Sequence, residues 1–102
     1  MMTRMLLLFA GHALCDYPLQ GDFLARGKNH KTPFPGMHPS QLLLAHCLIH
    51  MGMVLLITHN VWFALAELVI HFVTDWGKCE GLIDFDTDQA VHYLCKFLWA
   101  VL

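Results

Sequence analysis

The sequence has 102 residues, of which 57% are hydrophobic and only 14% charged, with a formal net charge of −2 and eight histidines. Soluble domains carry about 25% charged residues, so this balance excludes a disordered tail, a multidomain enzyme and a basic nucleic-acid binder: no positive field exists to attract phosphate backbones. A mean hydropathy of +0.51 points instead to one membrane-embedded domain over residues 1–102, in which ionisable groups are rare unless they carry function.

Four helices are expected. The first runs from Met2 to Cys15 or Asp16, because Pro18 disfavours the α region at Tyr17. Its apolar run does not read as a signal peptide, since His12 and Asp16 interrupt it and no small-x-small site follows. Residues 18–38 read as a long basic loop with Arg26, Lys28 and Lys31 among Gly21, Gly27, Pro33, Pro35 and Gly36. The second helix starts with Pro39 at its first position and runs to about Thr58. A tight turn at 58–60 follows, and the third helix starts after the cap Asn60 and ends at Gly77. A short acidic loop at 77–85 leads to the fourth helix. It starts at Asp86, which faces Gln89 in a capping-box-like pattern, and runs to the last residue. The second and third helices reach the ~17–25 residues of a span, while the first and fourth are short. The expected architecture is an all-α, up-and-down four-helix bundle with four membrane spans. The positive-inside rule places the loops carrying Arg26, Lys28, Lys31 and Lys78 in the cytoplasm, and Arg4 and both termini outside.

Each expected helix carries one polar pair four residues apart: His12/Asp16, His46/His50, His71/Asp75 and Asp88/His92. Residues at i and i+4 share a helix face, ~5–6 Å apart at Cβ, which lets two side chains reach one metal ion. In an up-and-down bundle the end of the first helix, the start of the second, the end of the third and the start of the fourth share one side. All four pairs can therefore meet at one depth. Five imidazoles and three carboxylates are too many for one tetrahedral zinc. They suit two ions with bridging carboxylates, or one ion inside a hydrogen-bonded surround. Zn²⁺ is the leading candidate, with Mn or Fe open. The competing reading is a set of buried His–Asp hydrogen bonds between helices.

The segments His12-Ala13-Leu14-Cys15-Asp16-Tyr17-Pro18-Leu19-Gln20, Lys28, His46/His50, His71-Phe72-Val73-Thr74-Asp75-Trp76 and Asp88-Gln89-Ala90-Val91-His92 together resemble the small phage and bacterial membrane proteins grouped as domain of unknown function 3307. The resemblance covers nearly the whole chain. It implies a multi-helix inner-membrane protein, often phage-borne, with no established activity. By the family pattern Gln20, Lys28 and Gln89 join the eight pair residues.

Other residues are read from their positions. Glu67, four before His71, extends that stripe as a further ligand, a relay or a buried hydrogen-bonded carboxylate. Lys96 extends the stripe of Asp88 and His92 and is expected to snorkel or to pair with Glu67. Gln20 and Gln89 could orient ligands from behind, and Gln89 could equally cap its helix. Lys28 either marks topology or meets an anionic headgroup or phosphate. Cys15, Cys47, Cys79 and Cys95 form no C-x-x-C and read as packing residues. His30, His38 and His59 read as solvated loop residues, and Trp62, Trp76 and Trp99 as interface anchors near helix ends.

The expected function is a metal-dependent membrane hydrolase of a lipid-like or phosphoester substrate. The ligands would be His12, Asp16, His46, His50, His71, Asp75, Asp88 and His92, one of the three Asp would serve as base, and Lys28 would meet the substrate's charge. The alternative is a non-enzymatic membrane protein whose metal site is structural and which acts by assembly or partner binding. A third reading, a proton or metal conduit through Glu67, meets no polar residue in 51–57 or in 97–102. The bilayer is the expected partner, with self-association as a way to cover short spans.

Overall fold

The computed structural model describes residues 1–102. It contains five helices and no strand: α1 (Met2–Asp16), α2 (Gly21–Gly27), α3 (Pro39–Thr58), α4 (Val61–Cys79) and α5 (Phe85–Val101). The four long helices close a ring in which α1 packs on α3, α3 on α4, α4 on α5 and α5 back on α1, while α2 packs on α3. The expected up-and-down bundle is present, with one added short helix.

Local chemistry explains the borders. Pro39 occupies the first turn of α3, where its missing N–H costs nothing. Asn60 caps α4 by accepting from the backbone N–H of Trp62 at 2.9 Å and of Phe63 at 3.2 Å. The third long helix does not stop at Gly77. It continues to Cys79 and closes in a Schellman motif around Gly81 (φ +81°), with Leu82 N–H donating to the Gly77 carbonyl and Gly81 N–H to that of Lys78. The cap of α5 is Asp84, which accepts from Thr87 N–H at 2.8 Å. Asp86 lies inside the helix, and the Gln89 side chain is engaged elsewhere.

The segment expected as loop contains α2. Its signals are an Asp22–Arg26 pair at helical spacing, 3.2 Å apart, and Gly27, which is buried. A Cβ on Gly27 would lie 2.4 Å from Leu42 Cδ1 and 3.0 Å from Phe34 Cε2. A side chain there would press on Leu42 and Phe34, and the close approach that glycine permits brings Lys28 to the end of the bundle.

The interior is divided along the bundle axis. Leu8, Val54, Cys95, Trp99 and Ala100 form an apolar cluster. One turn or more from it, towards the 17–38 and 80–84 connections, the buried residues are mostly polar: His12, His46, His50, His71, Asp75, Asp88 and His92, with Lys28 at the rim and Cys15, Leu43 and Cys47 among them. Glu67 and Lys96 lie between the two zones. The outward faces carry large apolar side chains, among them Leu7, Leu48, Leu56, Val69, Val73 and Leu94. This is the reverse of a soluble bundle, whose apolar stripe faces inward. Only α3 is long and apolar enough to cross a membrane, with a mean hydropathy of 1.8 over 18 residues. Although α4 has 19 residues, it carries Glu67, Asp75 and Lys78.

Candidate metal centre

The four pairs meet. His12 and Asp16 come from α1, His46 and His50 from α3, His71 and Asp75 from α4, and Asp88 and His92 from α5. The His71 ring lies at the middle, its centroid 3.9 Å from both the His50 and the His92 rings and 5.1 Å from that of His46. All five imidazoles are essentially inaccessible to solvent, and of the three carboxylates only Asp16 is more than marginally exposed, at 10%.

The Nε2 atoms converge. His50 Nε2 lies 3.0 Å and His46 Nε2 3.2 Å from Asp16 Oδ1, and His46 Nε2 lies 3.3 Å from His71 Nε2. Four atoms bound tetrahedrally at the 2.0–2.1 Å of zinc would stand about 3.3–3.4 Å apart. Asp16, His46, His50 and His71 offer ligand atoms that all lie within 4.8 Å of one another, and so do His71, Asp75 and His92. The first group is a three-nitrogen, one-oxygen set that fits zinc and is compatible with Mn or Fe. Six of the eight expected ligands fall in these two overlapping groups.

His12 and Asp88 flank them. His12 Nε2 faces Gln89 Oε1 at 3.0 Å and lies 3.3 Å from Asp16 Oδ2, both acceptors, so that nitrogen carries the proton. Gln89 Nε2 donates to Asp16 Oδ2 at 2.8 Å and to Asp88 Oδ2 at 3.2 Å. Gln89 therefore ties α1 to α5 and orients Asp16. Gln20 acts only locally, its amide donating to the Asp16 backbone carbonyl at 3.0 Å.

Behind His71 stands a second layer. Glu67 Oε1 lies 3.1 Å from His71 Nδ1 and also receives Lys96 Nζ, while Trp99 Nε1–H donates to Oε2 at 2.8 Å. A carboxylate behind a histidine fixes the tautomer and turns the other nitrogen's lone pair towards a metal. Trp99 is thus a buried donor and not an interface anchor. It shares the α5 face of His92 and Lys96, three residues beyond Lys96, and that spacing was the available sequence signal. In the next layer Leu8, Val54 and Ala100 are fully buried.

Lys28 is not a solvated loop residue. Its Nζ donates to Asp75 Oδ2 at 2.9 Å, with the side chain 5% exposed. Asp75 also lies 3.0 Å from His92 Nε2 and 3.3 Å from His46 Nε2. Lys78 Nζ stands 3.7 Å from Asp88 Oδ2. With neutral imidazoles, the carboxylates of Asp16, Glu67, Asp75 and Asp88 share the cluster with the ammonium groups of Lys28, Lys78 and Lys96. Among these four carboxylates Asp16 is the one that no lysine meets.

At the rim, His30 stacks on Trp76 with ring centroids 5.0 Å apart and lies 2.6 Å from Glu80 Oε1, while Lys31 Nζ is 3.1 Å from Glu80 Oε2. These two contacts hold the Glu80 carboxyl below its usual range. His38 and His59 are exposed as expected, and all four cysteines are free, three of them buried.

An all-helical bundle with a buried centre of imidazoles and carboxylates is the class of protein that fold and site define. The chain belongs to the family described as protein of unknown function DUF3307, whose model matches residues 4–101. No curated protein and no solved structure matches it.

Proposed function

We propose that the chain is an integral membrane protein whose short helices are clamped by one buried divalent ion, zinc by preference, held by Asp16, His46, His50 and His71. The observation that carries this reading is the convergence of Asp16, His46, His50 and His71 from three helices, their ligand atoms all within 4.8 Å of one another and three of the separations at 3.0–3.3 Å, near the edge length of a tetrahedral zinc site. Four protein ligands make a closed site, and closed sites are structural. The surroundings agree. The two cavities on the molecule are lined by Ala25, Arg26, Asn29, Thr32 and Phe34 and by Val73, Thr74, Trp76, Gly77, Leu82, Ile83 and Val91, and neither includes a cluster residue. A hydrolase acting on a phosphoester through Asp16, Asp75 or Asp88, with Lys28 meeting the substrate, would need such an opening and a free ammonium. Lys28 is instead committed to Asp75.

The membrane half of the reading rests on the apolar outward faces and the polar interior. Lipid is the medium in which a surface of exposed leucines, valines and aromatics over a charged centre has its groups correctly placed. In lipid, apolar burial no longer drives helix association, so interhelical polar contacts and a metal must supply it.

The test is purification from membranes followed by elemental analysis. We expect release only by detergent and one zinc per chain. A metal-free, folded protein would overturn the metal clamp, and recovery in the soluble fraction without detergent would overturn the membrane assignment.

A further inference from the structure

The connection between α1 and α3 carries a cavity that the metal centre does not use. From its lining we infer that it is a binding site for a phosphate group, the chemistry shared by an anionic lipid headgroup and free phosphate. The lipid source rests on the membrane assignment proposed above, and the phosphate site does not.

The cavity has a volume of about 380 Å³ and is lined by Ala25, Arg26, Asn29, Thr32 and Phe34. No carboxylate lines it, and Arg26, Asn29 and Thr32 all carry hydrogen-bond donors. The Arg26 guanidinium lies over the Phe34 ring, 5.8 Å from its centroid, which sets it against the cavity wall. Phe34 is itself held, because its ring stacks on Phe23 at 5.6 Å and lies close against Gly27. Asn29 Oδ1 accepts from the Lys31 backbone N–H at 2.9 Å. Its acceptor is thereby used, and its amide nitrogen, which only donates, is left for a ligand. The Thr32 backbone N–H donates to the Asn29 carbonyl at 3.1 Å, tying the two donor residues together.

The charge that would draw an anion here is that of Arg26. Lys28 is buried on Asp75, and His30 and Lys31 share Glu80. Arg26 has only Asp22, at 3.2 Å, with the two side chains 67% and 80% exposed. Such a pair in water contributes little, whereas a phosphate can take the guanidinium fork through two parallel hydrogen bonds. Leu19, Phe23 and Met37 are exposed in the same connection. Apolar side chains beside basic ones suit the headgroup layer of a bilayer, where lipid phosphates lie.

The experiment is calorimetric titration of the detergent-purified full chain at low ionic strength. The probes are sodium phosphate, dihexanoyl phosphatidylglycerol and, as the phosphate-free control, dihexanoylglycerol. The two phosphate probes should bind once per chain and the control should not. Arg26→Gln and Asn29→Asp should each weaken binding about tenfold or more, the scale of a lost hydrogen bond to a charged group. Asn29→Asp keeps the acceptor for Lys31 N–H and replaces the donor. Thr32→Val should weaken binding without changing any charge, and Asp22→Asn, which removes the competitor for Arg26, should tighten it. Lys31→Gln removes the same charge as Arg26→Gln outside the cavity and should change affinity little. Equal losses in Arg26→Gln and Lys31→Gln, an unchanged affinity in Thr32→Val, or no binding of either phosphate probe would overturn the site. Tighter binding of phosphatidylglycerol than of sodium phosphate supports the headgroup as the source, and equal affinities support free phosphate. Recovery of the protein without detergent would overturn the membrane assignment and leave the sodium phosphate titration to decide the site.

Discussion

Replacing Lys96 by methionine tests the deepest part of the polar network without touching a proposed ligand. Lys96 is fully buried and its ammonium sits on Glu67, which is 1% exposed and also faces His71 Nδ1 at 3.1 Å and Trp99 Nε1–H at 2.8 Å. Lys96→Met preserves the apolar stem and removes the charge, leaving the Glu67 carboxylate with two neutral donors. Breaking one side of a buried pair costs about 3–5 kcal/mol, a large part of a total stability on the order of 5–15 kcal/mol. Glu67→Gln should cost a similar amount, because it strands the ammonium. The double variant E67Q/K96M buries no charge and keeps one amide acceptor. It should lose only about 1–3 kcal/mol, for the donor left unpaired. The expected coupling between the two sites is therefore at least ~3 kcal/mol, measured as a double-mutant cycle. The assay is unfolding in mixed micelles with increasing dodecyl sulfate, followed by helical circular dichroism. Because both groups are shielded from solvent, the coupling should persist in 1 M salt, where the screening length is about 3 Å. Additive losses, or a loss below about 1 kcal/mol in Lys96→Met, would refute the reasoning.

Two further outcomes follow from the rim. Gly27→Ala places a Cβ 2.4 Å from Leu42 Cδ1, an overpacking that should cost about 1–3 kcal/mol and speed hydrogen exchange at residues 21–31, with α3 and α4 unchanged. The Glu80 carboxyl is depressed by His30 and Lys31, so its contribution to holding the 28–34 segment is present above the unfolded value near 4.5 and is lost as pH falls through the lower folded value. Hydrogen exchange at 28–34 should therefore rise on acidification below about 4.5 in wild type and change little in Glu80→Gln, and equal pH profiles for the two proteins would contradict the assignment.

The parts of this molecule legible in its sequence are those set by local periodicity. Four polar pairs at a spacing of four, one per helix, predicted that imidazoles and carboxylates would meet at one end, and the structure brings them together. Pro39 and Asn60 marked helix starts because their chemistry is local. The rest depended on contacts distant in sequence. Seven residues of α2 are too few to show a helical period, and although the family pattern singles out Lys28, its pairing with Asp75 shows only in the fold. Asp86 reads as the cap of the last helix, and the structure gives that place to Asp84, two residues earlier. Gln89 reads either as a cap or as a residue that orients ligands from behind, and only α1, which brings Asp16 and His12 within reach of its amide, decides for the second. That contact then assigns the His12 proton to Nε2 and sets His12 beside the metal groups.

The distribution of polarity makes these distant contacts more than decoration. The apolar cluster of Leu8, Val54, Cys95, Trp99 and Ala100 occupies one end of the bundle, and in lipid even that burial contributes little, since acyl chains are as apolar as leucine. The helices must therefore be held by what lies at the other end. There, four carboxylates, three ammonium groups and five imidazoles are packed with few accessible atoms, and each unpaired charge would cost several kcal/mol. Such a centre is stable only if its charges balance. Lys96 balances Glu67 and Lys28 balances Asp75, while Lys78 approaches Asp88 from a partly exposed position at 3.7 Å. Asp16 has histidines and an amide around it but no lysine. It is the one carboxylate without a cationic side chain of its own, and it belongs to the four-residue group whose spacing fits a tetrahedral ion. The carboxylate that no lysine meets and the place where the geometry accepts a metal are the same.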